Sequence, residues 1–320
     1  MKLIDMHCDT VLGWLHGNNM NLQESSLCVD LSKMKQANSM AQFFACFIYM
    51  KQFQGEDSFA RGYEYALKMI SRAKGEFAKY PEEIMLARNL DEILQNDKTG
   101  KMSAILTVEE GGVLDGKMEN LEELYKQGIR LITLTWNEEN CLGFPNSKEK
   151  SVMSQGLKKF GIEAVERMND LGILVDVSHL SDGGFWDVLK YSKKPVVASH
   201  SNARALCSHQ RNLTDEMIRA LAEKGGVSGI NFYPCFLNES GKAGIDDLIR
   251  HIEHMFYVGG EDFVAMGTDF DGFSDGELEI KHLGEITYLY EALKKRKFND
   301  SQIEKLWHKN AMRVIQEGMK

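Results

Sequence analysis

The sequence predicts a single (β/α)8 barrel, a TIM-like α/β fold, that spans residues 1–320. Eight short apolar runs rich in β-branched residues or Phe alternate with longer amphipathic stretches, which is typical of parallel α/β folds. Eight such strands favour a closed barrel. An open doubly wound sheet is the alternative, but that fold usually has a Gly-rich phosphate loop after its first strand. Here His7–Asp9 ends the first strand instead.

The elements follow one another regularly along the chain. The predicted strands are Leu3–Asp9, Met40–Ile48, Ser103–Glu109, Leu131–Trp136, Ile173–Ser178, Pro195–His200, Val227–Phe232 and Phe263–Asp269. The predicted helices include Phe59–Tyr80, Asn120–Gln127, Gly156–Leu171, Thr214–Glu223, Ile245–Val258, Leu283–Lys295 and Ser301–Gln316. Acidic residues after Thr214 suit a helix N-terminus, and Gly172 lies where a helix should end. Ser301, with Glu304 three residues later, predicts a capping box for the last helix.

Composition argues against several classes of protein. The chain of 320 residues is 43% hydrophobic and 27% charged, which is ordinary for a folded soluble protein with a large core. Its net charge of −9 argues against a nucleic-acid partner, and no apolar run approaches the ~18 residues of a membrane span. Six scattered Cys suggest free thiols. Without a signal-like N-terminus or a lipid-anchor tail, we expect a cytoplasmic protein with no membrane partner.

Five of the eight predicted strands end in His, Asp or Glu or are followed directly by one of them. In a barrel, the C-terminal ends of the strands carry the chemistry. The period of two puts His7 and Asp9 on the same side of the first strand, where they can bind one ion together. His179 and His200, from adjacent strands, can bind a second ion, and a Glu from the third strand could bridge the two. His and carboxylate ligands suit zinc or a similar divalent ion.

This pattern suggests a reaction as well as a site. Two ions about 3.5–4 Å apart could hold a bridging hydroxide and polarise a carbonyl. Asp269 could then accept the hydroxide proton and pass it to a leaving nitrogen. Each residue alone has a simpler explanation: a His at a strand end is usually only hydrogen-bonded, and Asp176 could be a buried structural acid. His251 and His254 lie three apart on one predicted helix, but no Glu-bearing motif accompanies them, so we do not expect them to bind metal.

At these positions the sequence resembles the membrane (renal) dipeptidase family, a branch of the amidohydrolase superfamily, over nearly the whole chain. The matching motifs are, in order, Ile4–Asp9, Leu131–Thr135, Leu174–His179, Ala198–Ser201, Arg211–Asn212, Asn231–Tyr233 and Gly267–Gly272. The family consists of metal-dependent (β/α)8 hydrolases with a two-zinc site. Its members cleave dipeptides and often tolerate a D-residue at the C-terminal position.

The resemblance assigns roles to individual residues. The implied metal ligands are His7, Asp9, Glu109, His179 and His200. Asp269 would be the proton shuttle, and Arg211 would bind the terminal carboxylate of the substrate, a task for which a guanidinium is chemically suited. Asn231 and Tyr233, within one of the matching motifs, would also contact the substrate.

Two positions depart from the family pattern. Glu109 and Glu110 stand together, whereas the bridging Glu of the family usually precedes two small residues directly. An ungapped match selects Glu109, with Glu110 as the alternative, because a slip of one residue turns the side chain to the other face. Trp136 stands where well-known animal members have a substrate-contacting His. A Trp would close the pocket by apolar packing and could stack on a substrate side chain.

The sequence therefore predicts a cytoplasmic dipeptidase with two divalent metal ions per chain. Zinc is the preferred metal, although manganese and cobalt suit the same ligands. One alternative is an amidohydrolase with the same core that acts on N-acyl amino acids or β-lactams, because Arg211 favours any substrate with a free carboxylate. Another is an inactive peptide-binding homologue, against which stands the presence of all five candidate ligands and Asp269. A homodimer is compatible with the resemblance.

Overall fold

Eight parallel strands close into a barrel. The computed structural model describes residues 1–17, 20–274 and 277–320. Its strands are β1 (Leu3–Cys8), β2 (Ser39–Phe47), β3 (Ile84–Leu86), β4 (Met102–Glu109), β5 (Ile129–Thr133), β6 (Leu174–Asp176), β7 (Val197–Ala198), β8 (Val227–Ile230), β9 (Lys242–Ala243), β10 (Val264–Met266) and β11 (Glu277–Leu278). The pairing of β2 with β4 closes the ring β1–β2–β4–β5–β6–β7–β8–β10. The predicted barrel is confirmed, and the open sheet is not the fold.

All eight predicted strands belong to the barrel, although all of them except β4 end one to three residues earlier than predicted. The strand β3 pairs only with the start of β4, and β9 and β11 form a separate parallel pair. The strands β3, β9 and β11 are not among the predicted strands, because each has only two or three residues, too few to show a period in the sequence.

Helices follow most of the barrel strands. They are α1 (Thr10–His16), α2 (Leu31–Gln36), α3 (Ser58–Phe77), α4 (Leu90–Lys98), α5 (Met118–Lys126), α6 (Lys150–Met153), α7 (Lys159–Leu171), α8 (Asp182–Tyr191), α9 (Asp215–Glu223), α10 (Pro234–Leu237), α11 (Ile245–Gly259), α12 (Thr287–Lys295), α13 (Asp300–Glu304) and α14 (Asn310–Gly318). Among the helices of the described residues, none has the length and apolar character needed to cross a bilayer.

The helix termini confirm two predicted caps and correct a third. The Thr214 side chain accepts a hydrogen bond from the Met217 backbone N–H, and Gly172 ends α7 with a left-handed φ of 83°. Ser301 is not the N-cap of the last helical segment. That cap is Asn299, which forms the reciprocal capping box with Gln302. Asn caps a helix as well as Ser does, and Gln302 has the spacing from Asn299 that Glu304 has from Ser301.

Buried acids hold the strands together inside the barrel. The Asp5 carboxylate accepts hydrogen bonds from the Thr268 backbone N–H and hydroxyl, at 2.8 and 2.7 Å, and from the Gln42 amide at 2.9 Å. Asp176 similarly accepts from the hydroxyls of Thr133 and Ser199, both at 2.6 Å. These bonds satisfy carboxylates that would otherwise be costly to bury. Asp176 is thus a buried acid that links three strands.

The two histidines of α11 have partners unrelated to metal. His251 is fully buried, accepts a hydrogen bond from the Ala203 backbone N–H at 3.2 Å, and donates from Nε2 to the Leu237 carbonyl at 3.1 Å. His254 contacts the Asp215 carboxylate at 2.7 Å. Both nitrogens of His251 are therefore engaged, which leaves no lone pair for an ion.

His251 should make the protein less stable in acid. Burial lowers its pKa from 6.5 to about 4. Below pH 6.5, His251 binds a proton in the unfolded chain but stays neutral in the folded chain. The free energy of unfolding therefore falls by about 3 kcal/mol between pH 6.5 and pH 4. Denaturant unfolding of chelator-treated wild type and His251→Gln checks this. The variant should be less stable at pH 7 but show a flatter dependence on pH, and parallel pH profiles would contradict the assignment.

Candidate active site

Six of the predicted residues meet at the C-terminal ends of five strands. They are His7 from β1, Asp9 directly after β1, Glu109 from β4, and His179, His200 and Asp269 from the segments that follow β6, β7 and β10. Each is at most 9% exposed. His179 and Asp269 have left-handed φ values of 67° and 62°, which are uncommon outside glycine. A strained backbone of this kind persists only where the surrounding fold imposes it, and such residues cluster at functional sites.

Glu109 lies at the centre of this group. Its Oε2 is 3.2 Å from Nε2 of His7, while its Oε1 is 3.0 Å from Nε2 of His179 and 3.7 Å from Nε2 of His200. Nε2 of His7 is also 3.3 Å from Oδ2 of Asp9. One carboxylate thus directs one oxygen toward β1 and the other toward β6 and β7. This is the arrangement required of a bridging ligand.

The neighbouring Glu110 faces away from this group. It has a φ of 106°, and its carboxylate accepts hydrogen bonds from the backbone N–H groups of Gly112 and Trp136, at 2.7 and 3.0 Å, and from Nδ2 of Asn140 at 2.6 Å. With these three donors, the Glu110 carboxylate secures the loop after β5 to the end of β4. Of the two adjacent acids, Glu109 is the one in contact with the histidines.

Two histidines are oriented by partners behind them. The Ser199 hydroxyl donates to Asp176 at 2.6 Å, so its oxygen can accept the proton on Nδ1 of His200 at 2.7 Å. Nδ1 of His179 lies 3.2 Å from the Asn137 side-chain oxygen. Protonation at Nδ1 leaves the lone pair on Nε2, which in both residues points into the group. Ligating histidines are commonly held in this way.

The donor set fits divalent metal ions. The ligand atoms of His7, Glu109 and His200 lie within 4.8 Å of one another, as do those of His7, Asp9 and Asp269. Nε2 of His179 and Nε2 of His200 are only 3.1 Å apart. Two lone pairs so close repel each other unless a cation lies near them. Oδ1 of Asp9 is also buried with no hydrogen-bonding partner among the described residues.

A nearby glycine keeps space beside the acids. A Cβ atom at Gly272 would overlap Oδ2 of Asp9 and come within 2.5 Å of Oδ1 of Asp269. Any side chain at this position would displace both carboxylates. The absence of a side chain therefore lets the loop after β10 close over the acids without filling the space around them.

Electrostatics also favour a cation at this site. Burial raises the pKa of Glu109 to about 8 and lowers the pKa values of His179 and His200 well below 6.5. The folded chain thus disfavours a negative charge on Glu109 and favours neutral imidazoles at His179 and His200, whereas the carboxylates beside His7 raise its pKa. A bound cation would compensate the carboxylate charge and use the imidazole lone pairs, so metal binding and deprotonation of these ligands reinforce each other.

Asp269 is held in a fixed orientation by Asn231. Nδ2 of Asn231 donates to Oδ2 of Asp269 at 2.9 Å and to the His200 carbonyl at 3.2 Å, and its Oδ1 accepts from the Tyr233 backbone N–H at 2.6 Å. The other oxygen of Asp269, Oδ1, lies 3.8 Å from Nε2 of His7. Burial raises the pKa of Asp269 to about 6. Asn231, predicted to contact substrate, is itself fully buried behind Asp269.

Arg211 is buried beside the histidines with part of its guanidinium free. Its two terminal nitrogens donate to the Ser201 hydroxyl and the His200 carbonyl, both at 3.2 Å. Its Nε has no partner among the described residues. Burial lowers its pKa to about 10, which still leaves it charged at neutral pH. A buried cation with an unused N–H is suited to bind a carboxylate.

Aromatic side chains line one side of the opening to the site. Trp136 packs edge-on against Phe47 and Tyr49, with ring centroids 4.9 and 5.6 Å apart. Tyr233 stacks on Phe273 at 5.2 Å. A cavity of about 190 Å³ lies at this opening, and its lining residues are Asp9, Leu12, Phe47, Tyr49, Glu109, Trp136, Asp271 and Gly272. The sequence reading missed Phe47 and Tyr49, because β2 ends without His, Asp or Glu. Two aromatic residues at the end of a barrel strand were the available signal.

Comparisons with known proteins identify the family of the chain. The family model described as membrane dipeptidase (peptidase family M19) matches residues 1–319. An uncharacterized dipeptidase of Schizosaccharomyces pombe is 33% identical over 294 residues, which are 89% of this chain and 71% of that protein. A protein encoded in the pqqA 5′ region of Klebsiella pneumoniae is 34% identical over 67% of this chain and 81% of its own length.

Solved structures share the whole barrel. The crystal structure of the metallopeptidase dipeptidase AC has a TM-score of 0.90 at 26% identity and covers 99% of this chain and 98% of its own. A metallopeptidase from Rhodobacter sphaeroides, solved with a phosphinate mimic of the dipeptide L-Ala-D-Ala, has a TM-score of 0.89 at 24% identity and covers 99% of both chains. At 24% identity, the likeness to the Rhodobacter sphaeroides structure supports the fold alone.

Proposed function

The chain belongs to the membrane dipeptidase family and is a peptide-bond hydrolase of the metallopeptidase class, and from this premise we propose that it cleaves dipeptides with two divalent metal ions, preferably zinc. The observation that carries the proposal is the position of Glu109. Its two oxygens face different ligand sets, with His7 on one side and with His179 and His200 on the other.

The proposed ligands are the five side chains named from the sequence. His7 and Asp9 would hold one ion, His179 and His200 the other, and Glu109 would bridge them. When bound, the ions supply a hydroxide nucleophile at neutral pH and stabilise the charge that develops on the scissile carbonyl oxygen. The task of the surrounding chain is to fix these ligands, which the Asp176–Ser199 and Asn137 contacts do for His200 and His179.

Asp269 is the proposed proton shuttle. The hydrogen bond from Asn231 occupies Oδ2 of Asp269 and leaves Oδ1 facing the ligands. Oδ1 would therefore accept the proton of the nucleophile and deliver it to the departing amine. A raised pKa, about 6 here, suits a group that must take up and release a proton near neutral pH.

Arg211 orients the substrate in this proposal. Its free N–H groups would bind the C-terminal carboxylate, which places the second residue of the dipeptide beside the segments after β7 and β8. Tolerance of a D-residue at this position is part of the proposal. Its support is the tolerance of D-residues that the resemblance to the membrane dipeptidase family implies.

Metal analysis combined with hydrolysis assays tests the proposal. Protein purified without chelator should contain about two zinc, manganese or cobalt ions per chain and cleave L-Ala-D-Ala and L-Ala-L-Ala. Chelator should abolish cleavage and added zinc should restore it. N-acetyl-D-Ala, which keeps the carboxylate but lacks the N-terminal ammonium, is the matched control. Faster cleavage of N-acetyl-D-Ala would favour the amidohydrolase alternative, and absence of metal without rescue by zinc would overturn the mechanism.

A further inference from the structure

An apolar wall borders one side of the proposed active site. We use this name for Phe47, Tyr49 and Trp136, in which the Trp136 ring makes edge-on contacts with the other two. The wall lines the cavity of about 190 Å³ that also contains Asp9 and Glu109. Tyr49 is 42% exposed, and Phe47 and Trp136 are half-buried, so their ring surfaces face a space that a ligand can enter.

Polar contacts hold the apolar wall in place. The Trp136 backbone N–H donates to the buried Glu110 carboxylate, which also accepts from Asn140. At the rim, Lys51 and Glu138 form an ion pair at 2.7 Å that connects the segment after β2 with the segment after β5. Glu110 is thus a positioning residue for Trp136. A preorganised wall loses little conformational freedom when it receives a ligand.

The wall and Arg211 lie on different sides of the ligand group. Phe47 ends β2, Tyr49 follows β2 and Trp136 follows β5, whereas Arg211 follows β7. In the eight-stranded ring, β2 lies opposite β7, and β5 lies two strands from β7. A dipeptide whose C-terminal carboxylate binds Arg211, with its peptide bond at Glu109, extends its first residue toward the wall. The side chain of that first residue then meets Trp136.

We propose that the apolar wall selects dipeptides whose N-terminal residue has a large apolar or aromatic side chain. This inference rests on the proposed function, because it uses the same carboxylate anchor and the same bond position. An aromatic side chain would stack edge-on or offset against Trp136 and displace water from the cavity. Burial of one large apolar side chain is expected to raise kcat/KM by about tenfold to a hundredfold relative to alanine.

Paired substrates and variants test the proposal. Wild type should cleave L-Phe-D-Ala at least about tenfold more efficiently in kcat/KM than L-Ala-D-Ala, and Trp136→Ala should remove most of that preference. Tyr49→Ala, at the exposed edge of the wall, should reduce it partly and serves as a second variant if Trp136→Ala folds poorly. Trp186→Ala is the matched control, because Trp186 is an exposed tryptophan on α8.

The same dipeptides should also be titrated calorimetrically, so that binding is measured even if neither is cleaved. If neither dipeptide is cleaved, tighter binding of L-Phe-D-Ala that is lost in Trp136→Ala would support the proposed selectivity of the wall and count against the proposed hydrolysis. Equal affinity and equal kcat/KM for the two dipeptides would overturn the proposed selectivity of the wall and leave the dipeptidase assignment intact. A preference that persists in both Trp136→Ala and Tyr49→Ala would also overturn it.

Discussion

Replacement of Glu109 by Gln is expected to lower kcat/KM for L-Ala-D-Ala at least about a thousandfold and to reduce the bound metal. Glu109 offers one carboxylate oxygen to His7 and the other to His179 and His200. An amide has a neutral oxygen and an N–H₂ group, so it cannot bridge two cations. The stabilisation lost is several kcal/mol, which corresponds to a factor of a thousand or more in rate.

Glu110→Gln is the matched control for this prediction. It makes the same chemical change one residue later, at a carboxylate that contacts Gly112, Trp136 and Asn140 instead of the histidines. Elemental analysis of both variants should find normal metal content in Glu110→Gln only. If Glu110→Gln loses its metal and Glu109→Gln keeps it, the assignment of the two acids is reversed.

Asp269→Asn is expected to lower kcat by about 10²–10⁴-fold with KM and metal content nearly unchanged. The amide preserves the size of the side chain and can still contact Asn231, but it cannot accept a proton at the position of Oδ1. Asp269 also lies close enough to His7 and Asp9 to be a ligand itself. Metal content separates the two roles, since loss of an ion in Asp269→Asn would identify Asp269 as a ligand and contradict the shuttle.

Asp271→Asn is the companion variant for Asp269→Asn. Asp271 lies on the same loop with a similar φ of 66°, but its carboxylate accepts hydrogen bonds from the Thr10 hydroxyl at 2.6 Å and the Cys28 backbone N–H at 2.7 Å. Its role is therefore to secure the loop. Steady-state assays should show a much smaller loss of kcat in Asp271→Asn, and an equal loss in both variants would show that loop disturbance explains the effect.

The strand ends show how far a local pattern can reach. Alternation of apolar runs and amphipathic stretches was enough to predict the barrel, because parallel strands need helical crossovers. The period of two predicted that His7 and Asp9 lie on one side of β1. Their side chains do meet, although β1 ends at Cys8 and Asp9 is the N-cap of α1. Since the C-terminal ends of all the strands meet on one face, the same reasoning anticipated that Glu109, His179 and His200 would come together.

Local pattern was insufficient where contacts between distant segments decide the outcome. By sequence, Ser301 and Asn299 are equally good helix caps. The folded chain shows that Asn299 is the N-cap and that the helix begins directly after it. Phe47 and Tyr49 read as ordinary residues of a strand end until Trp136, about 90 residues later, packs against them. The tautomer of His200 likewise depends on Asp176, which reaches Ser199 from a neighbouring strand.

By itself the sequence predicted the barrel and the face at which the polar residues of the strand ends gather, because these follow from the alternation of strands and helices and from strand direction. The tertiary structure decided how Glu109 and Glu110 divide their tasks. The left-handed backbone at Glu110 turns its carboxylate to Asn140 and the backbone N–H of Trp136, while Glu109 completes β4 and points at the histidines. Adjacent residues of one type differ only in the partners that the folded chain brings to them.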